Sequence, residues 1–285
     1  MESVWKTRRE GLLDLQATIG LLPDAVTRTA ATRVRITGGA HLSVAFALGA
    51  ALPSSRIGTM EIVDQRAESW IGTTESTNSE TAHLRVVGHA ELGRSSLTGR
   101  SHVGVYLDLI TPASDGAFDR YLEEHAGQPD AWIRLGTATP DLIKPGDAGE
   151  IAAEAAAHIR DLSNSHSNAE VHLLLRCPFP IAVLLGRLTN TLRVVVYEWD
   201  DSDPTIGDDY RARYAPSLRV QTSAADGVIR QVLLLGEGEL ERCLAPTCPA
   251  WWATGATHAV SASALGYRLP ASPRQGGRAI TVSCA

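Results

Sequence analysis

The stretch LLLRCPFPIAVLLGRLTNTLRVVVYEWDD, residues 173–201, decides how the rest of the chain is read. An apolar strand-like run ends at Arg176 and meets a Pro-Phe-Pro turn. A helix then starts near Pro180, and a second apolar run stops at the acidic loop Trp199–Asp200–Asp201. Short β-branched runs on either side of a helical segment of this length form a βαβ unit with two parallel strands.

Working outward, the same alternation recurs. EGLLDLQATIGLL (10–22) places Leu12, Leu15, Ile19 and Leu22 at helical spacing, and RVRIT (33–37) alternates as a strand broken by Gly38 and Gly39. HLSVAFALGAAL (41–52) reads as an apolar helix and RIGTMEIVDQR (56–66) as the next strand. The polar run 72–82 reads as an exposed loop. Strand signals follow in HLRVVGH (83–89), HVGVYLDLI (102–110) and AWIRLG (131–136), with helices expected at 113–127 and 149–164. A last strand pair is expected within 217–238. This alternation predicts an α/β fold with mostly parallel strands. Residues 1–30 read as a helical lead-in and 31–240 as the main domain. Residues 241–285 are rich in small and polar residues and read as a weakly ordered tail or interaction segment.

Set against itself with a shift of 137 residues (171 minus 34), segment 34–64 lies on 171–201 without a gap. Identities fall at Val34/Val171, Ala45/Ala182, Leu48/Leu185, Gly49/Gly186, Arg56/Arg193, Glu61/Glu198 and Asp64/Asp201. A duplicated Rossmann-like unit predicts two pseudo-equivalent halves whose strand ends face one cleft. Ligands of open α/β sheets bind beyond the carboxyl ends of the strands. That places the candidate site at Gly38, Gly39, Asp64, Gln65 and Arg66 in one half. In the other it falls at Arg176, Pro178, Phe179, Trp199 and Asp200. Arg176 next to a helix N-terminus suits a phosphate, and Phe179 and Trp199 suit stacking on bases.

Other chemistry is thin. The chain carries a net charge of -6, which argues against coating long DNA or RNA. Its 44% hydrophobic and 20% charged residues are ordinary for a soluble fold, with no apolar run long enough to span a bilayer and no secretory signal at the N-terminus. The expected address is the cytoplasm. Four cysteines at irregular spacing give no disulfide framework. There is no nucleophile elbow, phosphate-binding loop, zincin motif or dinucleotide fingerprint, so no cofactor is expected. Cys243 and Cys248 with His258 match zinc-site spacing poorly, and Asp200, Asp201 and Asp203 fit a solvated turn better than a Mg²⁺ site. Cys177, His158 and His172 read as structural residues.

One family pattern does fit. VHLLLRCPFPIAVLLGRLTNTLRVVVYEWD followed by Tyr214-Ala215-Pro216 resembles the signature of SAVED domains. In that pattern an apolar strand opens with His, a proline region precedes an A-x-x-L-G helix, and the next strand ends in Tyr-Glu. His172, Pro178, Ala182, Leu185, Gly186, Tyr197 and Glu198 occupy those places, and the resemblance extends over roughly residues 30–235. It implies two fused Rossmann-like (CARF-like) halves in a pseudo-two-fold arrangement. It also implies a sensor of cyclic oligonucleotides in bacterial antiviral signalling, in CBASS or type III CRISPR systems. The expected partner is a cyclic oligoadenylate, cyclic tri-AMP by preference, with oligomerisation on binding. SAVED domains are usually fused to an effector, and the residues before 30 are too few for one. A sensor acting on an effector in trans, or a domain cut from a longer protein, is therefore expected, with no catalytic residues of its own. The alternative is a metal-dependent nucleotide hydrolase or ring nuclease using the Asp200–Asp203 loop. A further alternative is an assembly module without a small ligand.

Overall fold

The computed structural model describes residues 2–72, 82–93, 100–139, 142–200, 213–222, 227–233, 260–262 and 280–284. The apolar runs foreseen as strands build two sheets. The first has β1 (Arg33–Gly38), β2 (Thr59–Val63), β3 (Ser69–Gly72), β11 (Val260–Ala262) and β12 (Ile280–Cys284) in the order β11-β12-β1-β2-β3. The second has β4 (Leu84–Glu91), β5 (His102–Asp108), β6 (Ala131–Thr137), β7 (Glu170–Arg176), β8 (Val194–Asp200), β9 (Arg213–Val220) and β10 (Ile229–Val232), ordered β10-β9-β8-β7-β5-β6-β4. Parallel pairs β1·β2, β5·β6, β5·β7 and β7·β8 form the centres; antiparallel pairing adds β3, β4, β9, β10 and β12, and β11 joins β12 in parallel at one edge.

Helices α2 (Leu42–Ala51), α4 (Ala148–Ser165) and α5 (Phe179–Leu188) fill the layer between the sheets. One apolar cluster joins Val34, Ile36, Met60 and Ile62 of the first sheet to Val105, Val171, Leu173 and Val196 of the second through these helices. The outer face of the first sheet is polar: Arg35 pairs with Glu61 through two hydrogen bonds of 2.9 Å. The second sheet is covered on both faces, because α3 (Gly116–Glu124) lays Phe118 and Tyr121 on Tyr106, Leu174, Val195 and Tyr197. That double cover explains why β5, β7 and β8 read as continuous apolar runs.

Three features depart from the sequence reading. The lead-in helix α1 runs over Glu2–Thr29, beyond Leu22 and through Pro23, because Val26 extends the buried stripe of Leu15, Ile19 and Leu22. Strand β3 was not foreseen; it pairs with β2 and begins the segment before the polar run, of which residues 73–81 lie outside the described residues. The tail, expected to be weakly ordered, supplies β12, whose Ile280–Cys284 backbone pairs antiparallel with β1. The alternating Ile280-Thr281-Val282 carried that strand signal, diluted by the composition around it.

The internal repeat holds in part. Helices α2 and α5 both have 10 residues and begin at Leu42 and Phe179, 137 apart (179 minus 42). Their contact is reciprocal. A methyl placed on Gly49 would fall on the Val183 carbonyl and 3.0 Å from Arg187 N; one on Gly186 would fall on the Phe46 carbonyl and 3.1 Å from Ala50 N. Phe46/Val183, Gly49/Gly186 and Ala50/Arg187 are equivalent under the same shift, as a local two-fold axis between the helices requires. In the second strand, however, the gapless alignment slips. Val34 lies opposite Met60 and Val171 opposite Val194, separations of 26 (60 minus 34) and 23 (194 minus 171). The three-residue difference moves Glu61 to the outer face and Glu198 to the helix face, since side chains alternate along a strand. The identities Arg56/Arg193, Glu61/Glu198 and Asp64/Asp201 are therefore out of register, and Asp64 is the residue in register with Glu198.

The glycine pair gives a direct test. On an exposed helix Gly→Ala stabilises by about 1 kcal/mol. Here the added methyl meets a backbone carbonyl that cannot rotate away, so Gly186→Ala is expected to destabilise by roughly 3 kcal/mol. Denaturant melts should show a lower midpoint at unchanged slope.

Candidate functional site

The turn that leaves β1 is shaped by its glycines. Gly38 has φ +117°, a conformation that side chains rarely adopt. Gly39 packs against the Gln65 amide so closely that a methyl there would overlap it. The chain then enters α2 at His41 without a side-chain cap from its own helix. The cap comes from the other half. Glu198 of β8, only 6% exposed, accepts the Ser43 hydroxyl at 2.6 Å and the Ser43 N–H at 3.2 Å, with His41 Nδ1 also at 3.2 Å. Ser217 of β9 donates to the Ser43 hydroxyl at 3.2 Å. Burial pushes the Glu198 carboxyl upward, but His41 and Ser43 outweigh it and hold it below the ordinary range. The carboxylate also faces the positive end of the α2 dipole. The carboxyl end of β1 is thus bonded to the carboxyl end of β8.

Of the residues foreseen in the first half, Gln65 is exposed beside Gly39, and Arg66, the next residue, is exposed too. Asp64 serves the fold: its Oδ1 accepts Arg66 N at 2.8 Å and Glu68 N at 3.1 Å, and its Oδ2 accepts Trp70 Nε1 at 3.2 Å. It stabilises the turn that carries Arg66.

In the second half, Arg176 ends β7 as foreseen but is engaged. Its Nη1 donates to Asp108 Oδ1 at 2.7 Å, Ile110 O at 2.7 Å and Pro112 O at 2.9 Å. Asp108 also accepts Ser114 N at 2.8 Å through Oδ2. The pair fixes the loop after β5, and Arg176 acts there as a positioning residue. Pro178 is the residue before α5 and Phe179 the first of that helix, half-buried against the interlayer core. Cys177 is buried, and burial drives its thiol pKa up, so it is a structural thiol. Trp199 lies on the opposite, α3-covered face, edge-on to Tyr214 with ring centroids 5.3 Å apart. Phe179 and Trp199 therefore belong to different faces of the sheet and do not form one stacking slot. Asp200 closes β8, its backbone opposite Arg213; Asp201 and Asp203 lie outside the described residues.

Sequence reasoning missed most of this network. Tyr106 donates to Ser114 O at 2.6 Å and lies 5.9 Å from Tyr214, whose hydroxyl donates to Leu175 O at 3.1 Å. Arg134 pairs with Asp115 and sits 5.8 Å above the Tyr106 ring. The bulge at Val196/Tyr197 places Pro216 opposite Tyr197, where a missing N–H does no harm. The available signals were single polar residues in apolar runs: Asp108 in VYLDLI, Glu198 in VVVYEW and Ser43 in HLSVAF. Among the described residues, no helix is long and apolar enough to cross a membrane.

Comparisons with known proteins identify the family and the fold. The model of the family described as "SMODS-associated and fused to various effectors sensor domain" (SAVED) matches residues 20–220. A comparison with curated protein sequences finds no match. Among solved structures, the chain is similar to the Acinetobacter baumannii Cap4 SAVED/CARF-domain containing receptor with the cyclic trinucleotide 2'3'3'-cAAA. The TM-score is 0.53 and the identity 17%, over 70% of this chain and 41% of that one. The same receptor with 3'3'3'-cAAA gives 0.50 and 18%, over 66% and 38%. The chain thus spans less than half the length of these receptors.

Removing the Glu198 charge tests the bond between the halves. Glu198→Gln is expected to cost about 2 kcal/mol of stability at neutral pH, the size of charge-assisted bonds. Because the folded carboxyl is depressed, its contribution is present above the ordinary carboxylate range and lost as pH falls from that range through the lower folded pKa. Melts across the acid range should therefore be steeper in pH for the native chain than for the variant.

Proposed function

The chain belongs to the SAVED family of sensor domains, and from that premise we propose that it binds a cyclic oligonucleotide where the carboxyl ends of β1 and β8 meet. The observation that carries this reading is the Glu198–Ser43–His41 bond, which draws the Gly38–Gly39 turn of one half to the strand ends of the other. A ring-shaped, multiply anionic ligand needs contacts from both sides, and such a junction supplies them. Cyclic tri-adenylate is the preferred ring, in keeping with the trinucleotide receptors of similar fold.

Each residue then has a role. Gly38 and Gly39 let backbone approach a phosphate, and exposed Arg66, set by the Asp64 turn, supplies the counter-charge. Arg176 acts indirectly, by fixing residues 108–114 through Asp108. Trp199, half-buried on Tyr214, offers its remaining ring surface to a base. Ligand bound across the junction favours one relative placement of the halves, and the selected state recruits a second copy or an effector acting in trans. The chain's part is recognition, and the ring leaves it intact. It acts in the cytoplasm, where such a second messenger is made.

Calorimetric titration with cyclic tri-adenylate and cyclic tetra-adenylate, with light scattering in parallel, tests the reading. Saturable binding of the tri-adenylate with growth in mass is expected, and no heat with either ring would overturn it. Arg66→Ala should raise Kd roughly tenfold, about 1.4 kcal/mol, without changing the melting temperature. Incubation with Mg²⁺ should return the ring uncut; hydrolysis would favour the nuclease alternative instead.

A further inference from the structure

At the amino ends of β5 and β7, away from the proposed ligand junction, lies a group of donors that the sensor reading does not use. His102 begins β5 and its backbone lies opposite Glu170, the first residue of β7. His172 follows two residues along, on the same face as Glu170. His102 Nδ1 and His172 Nε2 stand 3.1 Å apart, and His102 Nδ1 lies 3.8 Å from Glu170 Oε2. One donor atom from each of the three residues falls within 4.8 Å of the others.

The surroundings fix the donors as a metal would require. Tyr197 and Tyr121 place their hydroxyl oxygens 3.0 Å and 3.1 Å from His172 Nδ1. When Nδ1–H donates to either phenol, the Nε2 lone pair points at His102 Nδ1. This is the outer-shell arrangement that sets the tautomer of a metal-bound histidine. A tetrahedral ion with metal–nitrogen bonds of about 2.05 Å separates its ligands by about 3.3 Å, close to the nitrogen spacing here. Glu170 is 3% exposed; its Oε1 forms an ion pair with Arg219 Nε at 3.2 Å without a hydrogen bond, and its Oε2 is the oxygen near His102 that meets the ion. The Arg219 charge opposes a dication, so the affinity is moderate. Two imidazoles and one carboxylate select Zn²⁺ among the abundant divalent cations over Mg²⁺ or Ca²⁺.

We propose that His102, His172 and Glu170 form a zinc site, completed by water, that pins the start of β5 to the start of β7. This site is independent of the cyclic-nucleotide reading.

The test uses the full chain, stripped with a chelator and titrated with Zn²⁺ by calorimetry and with Co²⁺ by visible absorption. The expected result is uptake of a single equivalent, the intense bands of tetrahedral Co²⁺, and a melting temperature that rises with added Zn²⁺. His102→Ala, at a side chain one-third exposed, and Glu170→Gln should each weaken Zn²⁺ binding at least tenfold, with circular dichroism confirming the fold. Absence of uptake by the native chain would overturn the proposal. So would native-like binding in both folded variants, which would assign the ion to other donors such as the tail cysteines.

Discussion

The close crossing of α2 and α5 is the constraint on which the rest of the structure depends. Two glycines, Gly49 and Gly186, each admit the other helix's backbone to a distance that no side chain would permit. Because the contact is reciprocal, it fixes both helix positions at once. Each helix carries its own βαβ unit, so the crossing sets where the strand ends of the two halves stand. Burial of nearly every residue of α2 and α5 follows from this placement, since both helices lie between two sheets and touch each other as well. Their all-round apolar composition is what such a position demands.

On this frame a few polar contacts decide which ends meet. Arg187 crosses from α5 to the first sheet and donates to the carbonyls of Gly72, Ile57 and Gly58, although no carboxylate faces it among these contacts. Burial lowers its pKa, and the carbonyl dipoles of these three residues face the cation. Glu198 crosses the other way, from β8 to the start of α2. Either residue left alone in an apolar interior would be strongly unfavourable, yet the Glu198 carboxylate and both Arg187 Nη atoms are met by groups of the opposite half. The two crossings therefore confer specificity of docking more than net stability, and they hold the Gly38–Gly39 turn against β8.

Much of this was legible in the sequence. The strands and helices follow from periodicity, and the repeat follows from self-comparison, because apolar spacing reports the burial of each face directly. What periodicity does not encode is loop length between repeats. The three residues missing from the α5–β8 connection invert the facing of Glu198 relative to Glu61, although the letters align. β12 escaped for a related reason, because it pairs with β1 from more than 240 residues away and long-range antiparallel pairing leaves no local mark. Phe179 and Trp199 pack on different faces of the sheet, a placement that no linear spacing settles.

Arg176 shows how a correct position can carry a different role. It stands at a strand end beside a helix N-terminus, the geometry that recommended it for a phosphate. Its Nη1 nevertheless has three acceptors already, one a carboxylate that is 3% exposed. Drawing the guanidinium to a phosphate would leave Asp108 buried without its charge partner and release the backbone of residues 110 and 112. That cost is of the order of several kcal/mol for a buried pair, more than one exposed phosphate contact returns. The exposed cation on the Asp64 turn faces no such penalty. In the proposed binding mode the anion is therefore met by Arg66 and the glycine backbone, while Arg176 keeps the opposite wall in place.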